Sequence, residues 1–210
     1  MRKMFGREKW KHYFYTLSHP ADGFYLIRHE DKGSPGIAIL MVVLFSLSFS
    51  INRAYASFVV NDVNPRTVNG LTELLGVALL FLILCAGNWS VTCLMEGEGR
   101  FRDIVTVAGY AFGPVALTFV VATLFSQIVA ENEAAFYSII LIIGLGYGLF
   151  LLLTGIMTVH NYTLAKTLLT LLLTFVAMLI IIFLGMLVAD LIAKVVNFFR
   201  SIYTELIYRM

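Results

Sequence analysis

Between Pro35 and Ala189 the chain carries five apolar stretches of twenty residues or more, at about Gly36–Tyr55, Leu71–Cys93, Ile104–Val129, Ala134–Val159 and Thr167–Ala189, separated by short polar breaks. A helix rises ~1.5 Å per residue, so roughly 20 apolar residues cross the ~30 Å hydrocarbon core of a bilayer. Each stretch is long enough to span. Composition agrees: 60% of the residues are hydrophobic and 13% charged, outside the range of soluble domains. The expected fold is an all-α integral membrane protein with five transmembrane helices. It divides into an amphipathic, basic arm (residues 1–34), the five-helix domain (35–190) and an amphipathic C-terminal helix (191–210).

The charges indicate an orientation. With the N-terminus inside, the inner side holds Arg2, Lys3, Arg7, Lys9, Lys11, Arg28, Lys32, Arg100, Arg102 and Lys166, and the outer side Arg53, Arg66, Lys194, Arg200 and Arg209. Excess Lys and Arg marks the cytoplasmic face, so the N-terminus is expected inside and the C-terminus outside. The first 35 residues lack the apolar core of a cleavable signal, so the first span is expected to direct its own insertion.

Both ends of the chain look membrane-associated. In "MFGREKWKHYFYTL", Phe5, Trp10, Tyr13, Phe14 and Leu17 alternate with Arg7, Lys9 and Lys11. Aromatics and bases together suit the headgroup layer, and no motif suggests nucleic acid. Trp10, Phe14 and Phe24 are the expected interfacial anchors here. In the tail, Ile192, Val195, Val196, Phe199, Ile202, Tyr203 and Leu206 recur at helical spacing opposite Lys194, Asn197, Arg200, Ser201 and Glu205. This segment reads as a helix that continues the last span and bends along the outer surface, with Phe199 and Tyr203 as anchors.

Catalytic groups are not evident. Ionisable residues inside a membrane are the first functional candidates, yet Glu73, Lys166 and Asp190 all fall at span ends. Asn88, Thr118, Thr123, Gln127, Tyr147, Thr154, Thr170 and Thr174 are the polar residues within the spans, types that bond across helices or to their own backbone. His12, His19, His29 and His160 fall in the arm or a loop, and Cys85 and Cys93 lie eight residues apart on one helix, too far for a disulfide. No catalytic residue, cofactor or metal is expected. "GLGYG" in the fourth span is uninterrupted helix rather than a pore loop. Gly144 and Gly148 there, Gly155 about two turns beyond them, and Gly109 and Gly113 in the third span offer close-packing faces. Pro114 removes one helical hydrogen bond and favours a kink.

"MEGEGRFRD" then reads as a tight inner turn. Glu96, Gly97, Gly99, Arg100, Arg102 and Asp103 form it: the glycines permit the reversal, Asp103 caps the third span and the arginines keep the loop inside.

At these residues the chain resembles the Yip1-domain family. Pro20 and Phe24 in "HPADGFYLIR", Gly97 and Asp103 in the turn, and Gly109, Tyr110 and Pro114 in "FRDIVTVAGYAFGPVAL" carry the resemblance. It implies five spans with the orientation above. Eukaryotic relatives act in Golgi and endoplasmic-reticulum trafficking, binding Rab-type GTPases through a longer cytoplasmic region. This shorter arm is more similar to the compact bacterial branch, whose genes often accompany carbohydrate ABC transporters, which implies a plasma-membrane location.

The expected role is therefore non-enzymatic: a scaffold or accessory subunit of a membrane complex, with membrane lipids and either another membrane protein, such as a carbohydrate ABC transporter, or a second copy as partners. A small-solute channel or transporter and a membrane-shaping or trafficking-type factor are the alternatives.

Overall fold

The computed structural model describes residues 6–209. Phe5, Arg2 and Lys3 of the arm and the side chain of Leu206 lie outside the described residues. Seven α-helices follow one another: α1 (Arg7–Ser18), α2 (Pro20–Glu30), α3 (Pro35–Tyr55), α4 (Gly70–Leu94), α5 (Phe101–Ser126), α6 (Ala134–His160) and α7 (Leu164–Arg209). The last five are long and apolar enough to cross a membrane. Local chemistry sets their starts. Ser34 caps α3 ahead of Pro35, and the Asn69 side chain accepts from the Leu71 and Thr72 amides of α4. Asp103 receives the Arg100 amide at 3.2 Å and so closes the first turn of α5, as the sequence indicates.

Helix α5 is the axis of the bundle, packed between α3 and α6. Ala38 of α3 meets Gly109 so closely that a β-carbon there would stand 2.7 Å from the Ala38 backbone. Along α6, Gly144 faces Thr118, Gly148 faces Val115 with the Ala111 carbonyl, and Gly155 faces Val107 and Phe24. Gly113 receives Tyr13 of α1 and Met41. Pro114 lies inside α5, which continues through it as one helix. Removal of side chains is what lets these backbones approach without a water-driven hydrophobic term.

One end of the bundle holds the α1–α2 hairpin, the 95–100 loop and the turn after α6; we call it the hairpin end. At the far end, Asn52 of α3 donates to Thr123 of α5 at 2.9 Å and accepts from Tyr137 of α6 at 2.9 Å. Beside it Arg53 pairs with Glu73 of α4 at 2.6 Å, and Ser50 donates to the same carboxylate.

Two expectations are corrected here. The arm is not a loose interfacial strip. Tyr13, Phe24 and Ile27 are buried in the same core as Ile37, Val107, Tyr110 and Leu151. Phe24 is therefore a core residue at 0% exposure, and Trp10 packs against that core; Phe14, at 61%, is the exposed one of the three expected anchors. The tail is also different. α7 runs for 46 residues without interruption, so no break separates the last span from the amphipathic segment.

Candidate functional site

Two places combine polar side chains with unusual packing. The first is the turn at the hairpin end. Its glycines are not there to reverse the chain: no described glycine has a positive φ, and Glu96 takes the left-handed conformation at φ 56°. Gly97 and Gly99 are required by His160 instead. A β-carbon at Gly99 would stand 2.6 Å from His160 Cε1 and 2.7 Å from Val159 Cγ1, and one at Gly97 would strike His160 and stand 2.6 Å from the Tyr162 hydroxyl. The Gly99 amide donates to His160 Nδ1 at 3.1 Å, and Tyr162 donates to the Met95 carbonyl at 3.1 Å. Because Nδ1 accepts, the neutral ring carries its proton on Nε2, which is buried without an acceptor among the described residues. The sequence placed His160 in a loop; its position, ending an apolar run at the same end as a glycine pair, was the available signal.

Asp103, Arg100 and Arg102 of the turn form ion pairs with residues at the C-terminal end of α2. Asp103 lies 3.8 Å from Arg28, while Arg100 and Arg102 reach Asp31 at 3.6 and 4.0 Å. The turn thus ties α2, α5 and α6 together. On the hairpin's open side, Glu8, Lys9, Lys11, His12, Tyr15, Leu26, Glu30 and Lys32 line a cavity of about 660 Å³. Burial, then Lys32 and Lys9, hold the His12 imidazole below its ordinary pKa, against smaller opposing effects of a hydrogen bond with the Gly23 backbone and of Glu30.

The second place is the seam between α4 and α7. Thr167, Thr170 and Thr174 form one fully buried row on α7. Each hydroxyl returns to the carbonyl four residues back, at 2.7–2.9 Å. That satisfies them internally and leaves Thr174 Oγ1 to accept from Asn88 Nδ2 at 3.1 Å. Gly87 lets Met178 approach, its Cγ 3.4 Å from where a β-carbon would stand. From Phe183 onward every described side chain of α7 is exposed. Phe198, Phe199 and Tyr203 are 62%, 64% and 67% exposed there. At the far end of the bundle α4 has an exposed side too, at Leu71, Leu75 and Leu79. Among the described residues no group of His, Cys, Asp and Glu is arranged to hold a metal.

Five membrane-length apolar helices, joined by buried glycine contacts and interhelical hydrogen bonds, define a polytopic α-helical membrane protein. Within that class the chain belongs to the Yip1 family: the Yip1 domain matches residues 14–186. That match takes in most of the hairpin and all of the α4–α7 seam, and ends four residues into the exposed part of α7. Neither a curated protein nor a solved structure gives a match to this chain.

Proposed function

We propose that this protein is a non-enzymatic scaffold or accessory subunit that holds a partner membrane protein against α7. The observation that carries the reading is the one-sided packing of α7: its first part, with Thr174 and Met178, is seated on α4, and from Phe183 onward every described side chain is exposed, most of them apolar. At ~1.5 Å per residue the 46 residues of α7 extend about 69 Å, more than twice the ~30 Å hydrocarbon core, so lipid cannot cover its whole apolar face, and apolar surface left outside the bilayer marks an interaction site. The family resemblance suggests a carbohydrate ABC transporter as the partner. The collection of Lys9, Arg28, Lys32, Arg100 and Arg102 at the hairpin end supports a plasma-membrane orientation with the N-terminus inside and the end of α7 outside.

The test is purification of the full chain from native membranes in mild detergent. A stoichiometric transporter that co-elutes, and is lost on deletion of residues 191–210, is the expected result. Recovery of the protein alone as a defined oligomer would overturn it.

A further inference from the structure

We propose that the α1–α2 hairpin draws water and phospholipid headgroups down one side of the bundle to its middle, thinning the leaflet at its own end. The depth of the hairpin follows from four contacts in order. Arg28 faces Asp103 near the start of α5. Phe24 lies against Gly155, its ring atoms 3.2 Å from where a β-carbon would stand. The Tyr13 hydroxyl abuts Gly113. The Tyr147 hydroxyl donates to the Leu17 carbonyl. As the contacts pass from Arg28 to Leu17 they move from the end of the bundle to Gly113 and Tyr147, which are the midpoints of the 26-residue α5 and the 27-residue α6. The hairpin therefore runs alongside the spans rather than across their ends.

A flat bilayer would then meet the wrong surface. Thirteen residues separate Tyr147 from His160, or about 20 Å of helix, whereas one leaflet contributes roughly 15 Å of hydrocarbon. At the hairpin's tip Ser18, His19 and Asp22 are exposed, and Lys11 is exposed above them. Two charged side chains, Asp22 and Lys11, together with the exposed Ser18 and His19, cost more to hold in hydrocarbon than local thinning of the lipid beside the hairpin. The bilayer is the softer element, so the leaflet yields. Phe14, Tyr15, Tyr25 and His29 are exposed on the same hairpin, residue types that sit at headgroup level. The cavity lined by Glu8, Lys9, Lys11, His12, Glu30 and Lys32 is likewise suited to water.

Single cysteines test this in a background with Cys85→Ala and Cys93→Ala, using the full chain in phosphatidylcholine vesicles. A charged, membrane-impermeant maleimide is expected to label Asp22→Cys within about tenfold of the rate at Glu98→Cys in the open loop. Leu149→Cys, two residues from Tyr147 and so on the opposite face of α6, is expected to react at least about a hundredfold more slowly. His19→Cys should match Asp22→Cys, which guards against a local effect of either substitution. A fluorophore on Asp22→Cys should be quenched more by a nitroxide on the lipid headgroup than by one at mid-chain, with the reverse at Leu149→Cys. Slow labelling at both hairpin positions would place the tip in hydrocarbon and overturn the proposal. Fast labelling at Leu149→Cys would overturn it too, because the bilayer would then not cover that level on either side. Fast labelling with stronger mid-chain quenching would refute the headgroup part.

Discussion

Replacing Phe24 by Ala tests whether the hairpin is held to the bundle as a unit by its core contacts. The ring is wholly buried, against Gly155 and within the cluster that includes Val107 and Ile27. Truncating a buried Phe to Ala costs ~3–5 kcal/mol, through lost transfer energy and the cavity left behind. Gly155 offers no side chain to collapse into that space, which argues for the upper half of the range. At ~1.4 kcal/mol per factor of ten, the equilibrium between docked and undocked hairpin shifts by roughly two to three and a half orders of magnitude. The polar contacts at its base, Arg28 with Asp103 and Lys9 with the Asp31 and Gly33 carbonyls, are partly exposed and compensate little. Amide exchange on the purified protein in nanodiscs measures this directly. Residues 7–30 should lose protection by that factor while α3, α5 and α6 keep theirs, since local openings follow cooperative units. Phe24→Leu should retain most of the protection. Unchanged exchange in residues 7–30 would show that Phe24 does not hold the hairpin; equal loss throughout the bundle would show that the hairpin is no separate unit.

Three further outcomes follow from the packing. Gly99→Ala drives a methyl into His160 and Val159, and overpacking of this kind costs ~1–3 kcal/mol, so the midpoint of thermal unfolding should fall by several degrees; adding His160→Ala should recover part of it. Thr174→Val removes the bond from Asn88 across the α4–α7 seam, where such bonds average ~0.6 and reach ~1.7 kcal/mol, so detergent unfolding should show a loss in that range and no change in amide exchange of the hairpin. The lowered pKa of His12 means that the unfolded hairpin binds its proton more readily than the docked one. Docking is therefore at full strength above the ordinary His value and weakens as pH falls below ~6.5, until the docked imidazole itself is protonated. The protection factors of residues 7–30, taken against the intrinsic exchange rate at each pH, should fall between pH 7 and 5 in the parent and stay flat in His12→Gln.

What could be read from the sequence was what local chemistry determines. Five spans are visible because length and apolarity alone decide whether a helix can cross a bilayer, and the Asp103 cap because it acts over three residues. The role of the glycines in the turn was hidden, since His160 stands 61 residues away from Gly99. Phe24 and Trp10 looked interfacial for the same reason: aromatics among bases have one local pattern whether they meet headgroups or a glycine on a distant helix. The unbroken course of α7 was misread because a change from all-round apolar to amphipathic spacing does not by itself break a helix. No proline interrupts it, and the Asp190–Lys194 pair at 2.8 Å supports the turn where the bend was expected.

The short seat of α7 also gives it leverage. Met178, which meets Gly87 of α4, stands 31 residues from Arg209, about 46 Å along the helix. A rotation of about 10° about the threonine row sweeps the helix's end through ~8 Å by simple geometry at that helical rise. A slight change in how Asn88 and Gly87 meet Thr174 and Met178 thus becomes a displacement wider than a polypeptide strand at the opposite side of the bundle.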